Sequence, residues 1–276
     1  MSDGFRRFPV TRIGRVPDGA APGEDSVAVE EPLEIRLHGR SFAVIMRTPG
    51  SDRALAAGFL LAEGVVTAPA ELGAVEACRH PHYPQYHNVI DVFLIGEARE
   101  RVERHLGERR QIVASSSCGL CGRATIDSLR CRAAPLPVAW TIDADAAAAL
   151  PERLRARQQL FERTGGLHAA GLFGLDGACL AFAEDVGRHN AVDKVIGRMV
   201  LDERLPLDGA VLVVSGRTSF EIVQKAWIAG VPLICAVSAP SSLAIELAST
   251  AGVTLLGFAR GGGFNVYSHP ARVRAV

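Results

Sequence analysis

The sequence predicts an α/β protein of two unequal parts, a three-layer α/β/α C-terminal unit and a smaller α+β unit before it. Three observations predict it. The apolar runs at 210–214, 233–237 and 253–258 are too continuous for strands with one wet face, and belong in a parallel sheet covered by helices. The stretches between them, 219–229 and 242–251, have helical length and end at Gly230 and Gly252. Ahead of residue 100 the pattern changes to short alternating strands around one helix.

Residues 17–23 are rich in Pro, Gly and Ala, so residues 1–27 are expected to form a mobile tail. Leu33, Ile35 and Leu37 alternate with Glu34, Arg36 and His38, and Gly39 suits a turn into a second strand over 42–46. Ser51 or Asp52 is placed to cap a helix over 53–63, with Gly64 as its left-handed terminator. A strand near Val75 and another over 89–95 complete the small unit, assigned to 28–140. It ends in a polar loop, 111–132, containing Ser115, Ser116, Ser117, Cys118, Gly119, Leu120, Cys121 and Gly122.

The larger unit, 141–276, follows. Pro151 suits the first turn of a helix ending near Thr164, before Gly165 and Gly166. Asp176 and Gly177 mark a hairpin turn, and Val192, Val195, Ile196, Met199 and Val200 keep helical spacing.

Composition excludes several function classes. The 276 residues carry 30 basic and 30 acidic side chains, so no global positive field draws the chain to nucleic acid. No apolar run reaches the ~20 residues of a membrane helix, and the first residues lack a signal-peptide core; a cytoplasmic protein with no membrane partner is expected. Arginine supplies nearly all the positive charge; Lys194 and Lys225 are the lysines. The six cysteines read as thiols rather than a disulfide framework.

Cys118 and Cys121 form the sharpest local feature. Two thiols at this spacing serve as half of a zinc site, as a redox dithiol, or as a nucleophile with a helper. Zinc would need a second set of ligands, for which Cys78, His80 and His82 are the candidates; a thioredoxin-like pair would sit between a strand and a helix. A glycine-flanked thiol in a polar loop also suits sulfur carriage, taking sulfane sulfur as a persulfide and giving it up elsewhere. Cys179 and Cys235 lie in apolar strands and read as inert.

A second constellation lies at the strand ends: Ser215, Gly216 and Arg217; Ser238 and Ser241; and Phe258, Ala259, Arg260, Gly261, Gly262 and Gly263. In open α/β sheets such loops line the ligand crevice, and the helix after each offers backbone N–H groups to an anion, so a nucleotide or phosphate is expected here. Asp185, Arg188, His189 and Asn190 form a dense polar run beside the same edge, while His168 reads as structural.

Taken together, residues 117–122, 164–170, 184–194, 215–217 and 257–262 resemble the FdhD family of formate dehydrogenase accessory sulfurtransferases, a likeness running over about 32–270. The resemblance implies a persulfide on the cysteine loop, supplied by a cysteine desulfurase and delivered to the molybdenum of a bis(molybdopterin guanine dinucleotide) cofactor destined for formate dehydrogenase. It also implies a cytidine-deaminase-like C-terminal domain, a homodimer, and cofactor contacts from the strand-end residues named above. Deaminase chemistry does not come with that fold, because the zinc signature is missing. Where the family commonly has Arg, this chain has Gly263.

Overall fold

The computed structural model describes residues 4–14, 20–78, 87–108, 134–137 and 139–274, with side chains left out at 103–108. The first element corrects an expectation. Strands β1 (Phe5–Ile13) and β2 (Ala20–Ala28) pair antiparallel along their whole length, where the composition suggested an irregular tail. Its residues show no apolar alternation because the pairing rests on backbone bonds, and Val29 N donates to Gly4 O to close its base.

The smaller unit is a four-stranded sheet with one parallel and two antiparallel pairings. Its strands are β3 (Glu31–Leu37), β4 (Arg40–Arg47), β5 (Leu72–Ala77) and β6 (Val89–Leu94), in the order β4-β3-β6-β5. His38 and Gly39 both take positive φ at the β3–β4 turn, the twist a tight hairpin needs. Helix α1 (Asp52–Ala62) buries Leu55 and Leu60 against Leu33, Ile35 and Val92. Ser51 does not cap it, and Asp52 is turned aside to hold buried Arg47 through two 2.9 Å bonds. Helix α2 (Glu97–Glu108), which the sequence reading did not place, adds Ala98 and Val102 to this core.

Strand β7 (Ile142–Asp143) leads into α3 (Ala144–Arg155) and α4 (Gln159–Thr164). Pro151 therefore sits inside α3 rather than opening it, and the break at 156–158 divides what the sequence suggested was one helix. The rest alternates strand and helix: β8 (His168–Gly174), β9 (Cys179–Asp185), α5 (Arg188–Leu201), β10 (Ala210–Val214), α6 (Phe220–Ile228), β11 (Leu233–Ala236), α7 (Ser242–Ala251), β12 (Thr254–Arg260) and β13 (Gly263–Ser268). The short β14 (Val273–Arg274) pairs with β7.

The six-stranded order is β13-β12-β11-β10-β8-β9. β10, β11 and β12 are mutually parallel, as their unbroken apolar pattern requires. β8 runs against both β10 and β9, so β9 points the same way as the parallel three. One face packs on α5, α6 and α7 through residues such as Val195, Ile222 and Ala248; the other meets Leu150 and Leu154 of α3. This is the three-layer α/β/α architecture expected, with the smaller α+β unit leaning on it through α1 and α5. Where those helices cross, a Cβ on Gly58 would stand 2.0 Å from Asp193 O.

Candidate anion-binding crevice

Because only β8 and β13 run opposite to the other four strands of this sheet, the carboxyl ends of β9, β10, β11 and β12 share one edge with the amino ends of β8 and β13. Helices α5, α6 and α7 all start from that edge. Gly187 before α5 and Ser219 before α6 make no side-chain cap, whereas Ser241 caps α7 through Ala244 N. The third loop departs from expectation: Gly261 and Gly262, both at positive φ, turn β12 straight back into β13, so no helix follows it.

Between this edge and the α3–α4 segment lies a crevice of about 620 Å³, within the range of small-molecule sites. Leu167, His168, Ser215, Val237, Ala259 and Arg260 line the sheet side, and Glu152, Arg155, Gln158 and Phe161 the helical side. Ser215 Oγ accepts from Ala169 N at 2.9 Å, fixing the β10 end to β8. Gly216 lets the imidazole of His168 approach, since a Cβ there would lie 3.2 Å from Nδ1.

Burial pushes the His168 pKa down, and the guanidinium charges of Arg188 and Arg217 push the same way against the opposing pull of Asp185. A neutral ring among arginines can donate or accept a hydrogen bond. Arg188 Nε is buried without a hydrogen-bond partner. Arg217 is exposed, and Arg260 holds its guanidinium 5.8 Å from the ring centroid of Phe258, itself in a left-handed backbone conformation. Phe258 N donates to Ser238 O at 3.2 Å, tying the β12 end to the β11 loop.

The structure separates residues that the sequence grouped together. Asp185 is fully buried, and its carboxylate accepts from Thr48 N, Gly187 N and the Asn190 amide while pairing with Lys194 Nζ at 2.7 Å. Asn190 also donates to Met46 O, and Lys194 to Thr48 O. Asp185 and Asn190, expected to contact cofactor, are thus saturated members of a joint between the two units. His189 points to Ser219 Oγ (3.0 Å) and Glu221 (3.3 Å) on α6 rather than into the crevice. Beside it Lys225 grips Asp193 at 2.6 and 2.8 Å.

His168, read as structural, faces the crevice instead, and Gln158 was missed altogether. The lysine scarcity was a usable signal, since both lysines neutralise a buried aspartate. Cys118 and Cys121 lie outside the described residues, as do His80 and His82. Among the described residues no three potential ligands gather as for a metal, and no helix is long and apolar enough to cross a membrane.

Fold and crevice define a class: a three-layer α/β/α protein with an opening of small-molecule size at the carboxyl edge of its sheet, braced by a second, smaller unit. The chain belongs to the FdhD/NarQ family, whose model matches residues 28–274. Relatives named sulfur carrier protein FdhD include one from Streptomyces avermitilis, 47% identical over 95% of this chain and 94% of its own length. Another, from Anaeromyxobacter dehalogenans, is 51% identical over 90% and 88%. A crystal structure of a candidate formate dehydrogenase accessory protein from Desulfotalea psychrophila superposes with a TM-score of 0.76 at 25% identity, covering 98% of this chain and 99% of that one.

Proposed function

We propose that the protein is a sulfur carrier serving formate dehydrogenase. Cys118 takes sulfane sulfur from a cysteine desulfurase as a persulfide, Cys121 assists, and the sulfur passes to the molybdenum of bis(molybdopterin guanine dinucleotide) held in the crevice. Family membership supports the carrier role, as do relatives of that name at close to half identity.

The single observation that carries the cofactor part is the buried Nε of Arg188, which has no hydrogen-bond partner and belongs to a guanidinium that acts on His168. A buried guanidinium nitrogen without a partner is costly, and the oxygens of a diphosphate answer that need with charge-assisted bonds. In this reading Arg188, Arg217 and Arg260 bind phosphate, and neutral His168 donates or accepts one further bond. The described residues thus fit a phosphate-bearing cargo.

Chain length is also compatible. Trp227 Nε1 donates to Ala134 O and Leu136 N to Ala251 O, so the chain leaving the cysteine segment is fastened at the far end of α7. α7 is ~15 Å long, whereas the stretch from Cys121 to Ala134 reaches ~40 Å when extended. When the outer sulfur leaves, the S–S bond breaks with its electron pair kept on Cys118 as thiolate, and the acceptor supplies the pair for its new bond to the transferred sulfur.

Mass spectrometry after incubation with a cysteine desulfurase and cysteine tests the reading. One added sulfur on the peptide containing Cys118 is expected. A protein that gains none and instead holds one zinc per chain would be a nucleotide-binding module without sulfur chemistry.

A further inference from the structure

A second cavity, of about 950 Å³, opens on the other side of the α3–α4 segment, against the β8–β9 hairpin. Three arginines line it. Arg153 is fixed: its Nη1 donates to Gly177 O at 2.8 Å, and the guanidinium occupies the space a Cβ on Gly177 would need. Arg163 lies with its guanidinium 5.3 Å from the ring centroid of Phe5, and Arg157 has no acidic partner among the described residues.

Glu184 is the one carboxylate lining the cavity, and it is already engaged. Its two oxygens accept from Phe161 N at 2.7 Å and Leu160 N at 3.1 Å, closing the start of α4. In a chain with 30 basic and 30 acidic residues, three arginines converging on one committed carboxylate leave a local excess of positive charge. The neighbouring Arg155 shows the alternative, since it is paired with Glu162 at 2.6 Å.

We propose that this cavity is a second anion site, which takes an organic phosphate of nucleotide size. The arginine fork matches phosphate oxygens in pairs, which a point charge cannot do. Phe182 supplies an apolar wall for the organic part, and the volume lies at the upper end of small-molecule sites. The site is separate from the crevice and does not depend on the sulfur-carrier reading.

Calorimetry on the full chain tests it, with GDP, pyrophosphate and guanosine as probes at low salt. Wild-type protein should bind one GDP here besides any held in the crevice. The double variant Arg157→Ala/Arg163→Ala should lose that one, its affinity falling at least ~10-fold, and leave any crevice binding unchanged. Pyrophosphate should compete at this site and guanosine should not. Both arginines are exposed, so unfolding by urea should be unchanged, which separates lost binding from lost fold. The proposal is overturned by an isotherm that the double variant leaves unaltered, or by GDP binding abolished wholly in Arg217→Ala/Arg260→Ala. It is equally overturned if an acidic peptide binds at these arginines and GDP does not.

Discussion

Gly197 of α5 lies against the carbonyl oxygen of Ala54 on α1, and a Cβ at Gly197 would stand 1.8 Å from it. With Gly58 in the same crossing, two glycines let helices from different units touch backbone to backbone. Neither contact can be relieved by turning a side chain, because the obstacle is main chain. Gly197→Ala should therefore cost ~3 kcal/mol of stability in urea unfolding, the upper part of the usual range for overpacking. Gly209, which has open space around it, provides the control: alanine there should change stability by less than ~0.5 kcal/mol.

Asp185 and Arg217 were both expected to contact ligand, and substitution should part them. Asp185→Ala leaves the buried Lys194 ammonium unpaired, a loss of roughly 3–5 kcal/mol. Protein that remains folded should still bind GDP in the crevice. Arg217→Ala should do the reverse, leaving urea unfolding within ~0.5 kcal/mol of wild type and weakening GDP by ~10-fold or more. Equal GDP affinity in both proteins would move the crevice site away from Arg217.

The cluster between α5 and α6 makes stability depend on pH. Burial pushes Glu221 up to about 7, against the pull of Lys225 and with Asp193 and Glu63 adding to the rise. Burial also pushes Asp193 up to about 6, against Lys225. Arg188 pulls Glu221 down, and His189 lies 3.3 Å from its carboxylate. In the folded chain Asp193 holds a proton between about pH 4 and 6, and Glu221 between about pH 4.5 and 7, that the unfolded chain has already released. Stability should fall as pH rises through these windows. Glu221→Gln removes one titration, so its urea profile should be flatter and the variant more stable than wild type at pH 8. A variant with the wild-type slope would show that Glu221 does not take up the proton.

Much of this fold was legible in the sequence, for reasons that differ along the chain. The runs at 210–214 and 233–237 announce strands buried on both faces, and Gly252 ends α7 at the expected residue because an αL position favours glycine. The β1–β2 hairpin was hidden because backbone pairing leaves no apolar trace. Pro151 misled because proline is commoner in a first helical turn than inside a helix, where it sits in α3. The strand-end loops were correctly placed on one edge, but side-chain direction was not readable. Asp185 meets Thr48 across 137 residues of sequence, and only the packing of α1 on α5 brings them together.

The thiols offer a last test, because burial sorts them before any sulfur chemistry is considered. Cys235 is fully buried in β11, and burial alone pushes its pKa up to about 12. Cys179 and Cys78 are partly buried and also raised, chiefly by burial. Thiolate is the reactive form, so all three should be slow nucleophiles near neutral pH. If Cys118 is the carrier thiol, it must deprotonate readily and be reachable by a partner protein. Brief alkylation of folded protein at pH 7.5, read by peptide mass, should therefore mark Cys118 or Cys121 first and Cys235 only after denaturation. Cys118→Ala should unfold in urea like wild type yet fail to restore formate dehydrogenase activity in a strain lacking the native protein. Full activity from that variant would leave Cys121 as the carrier if Cys121→Ala fails, and would end the persulfide mechanism if neither substitution matters.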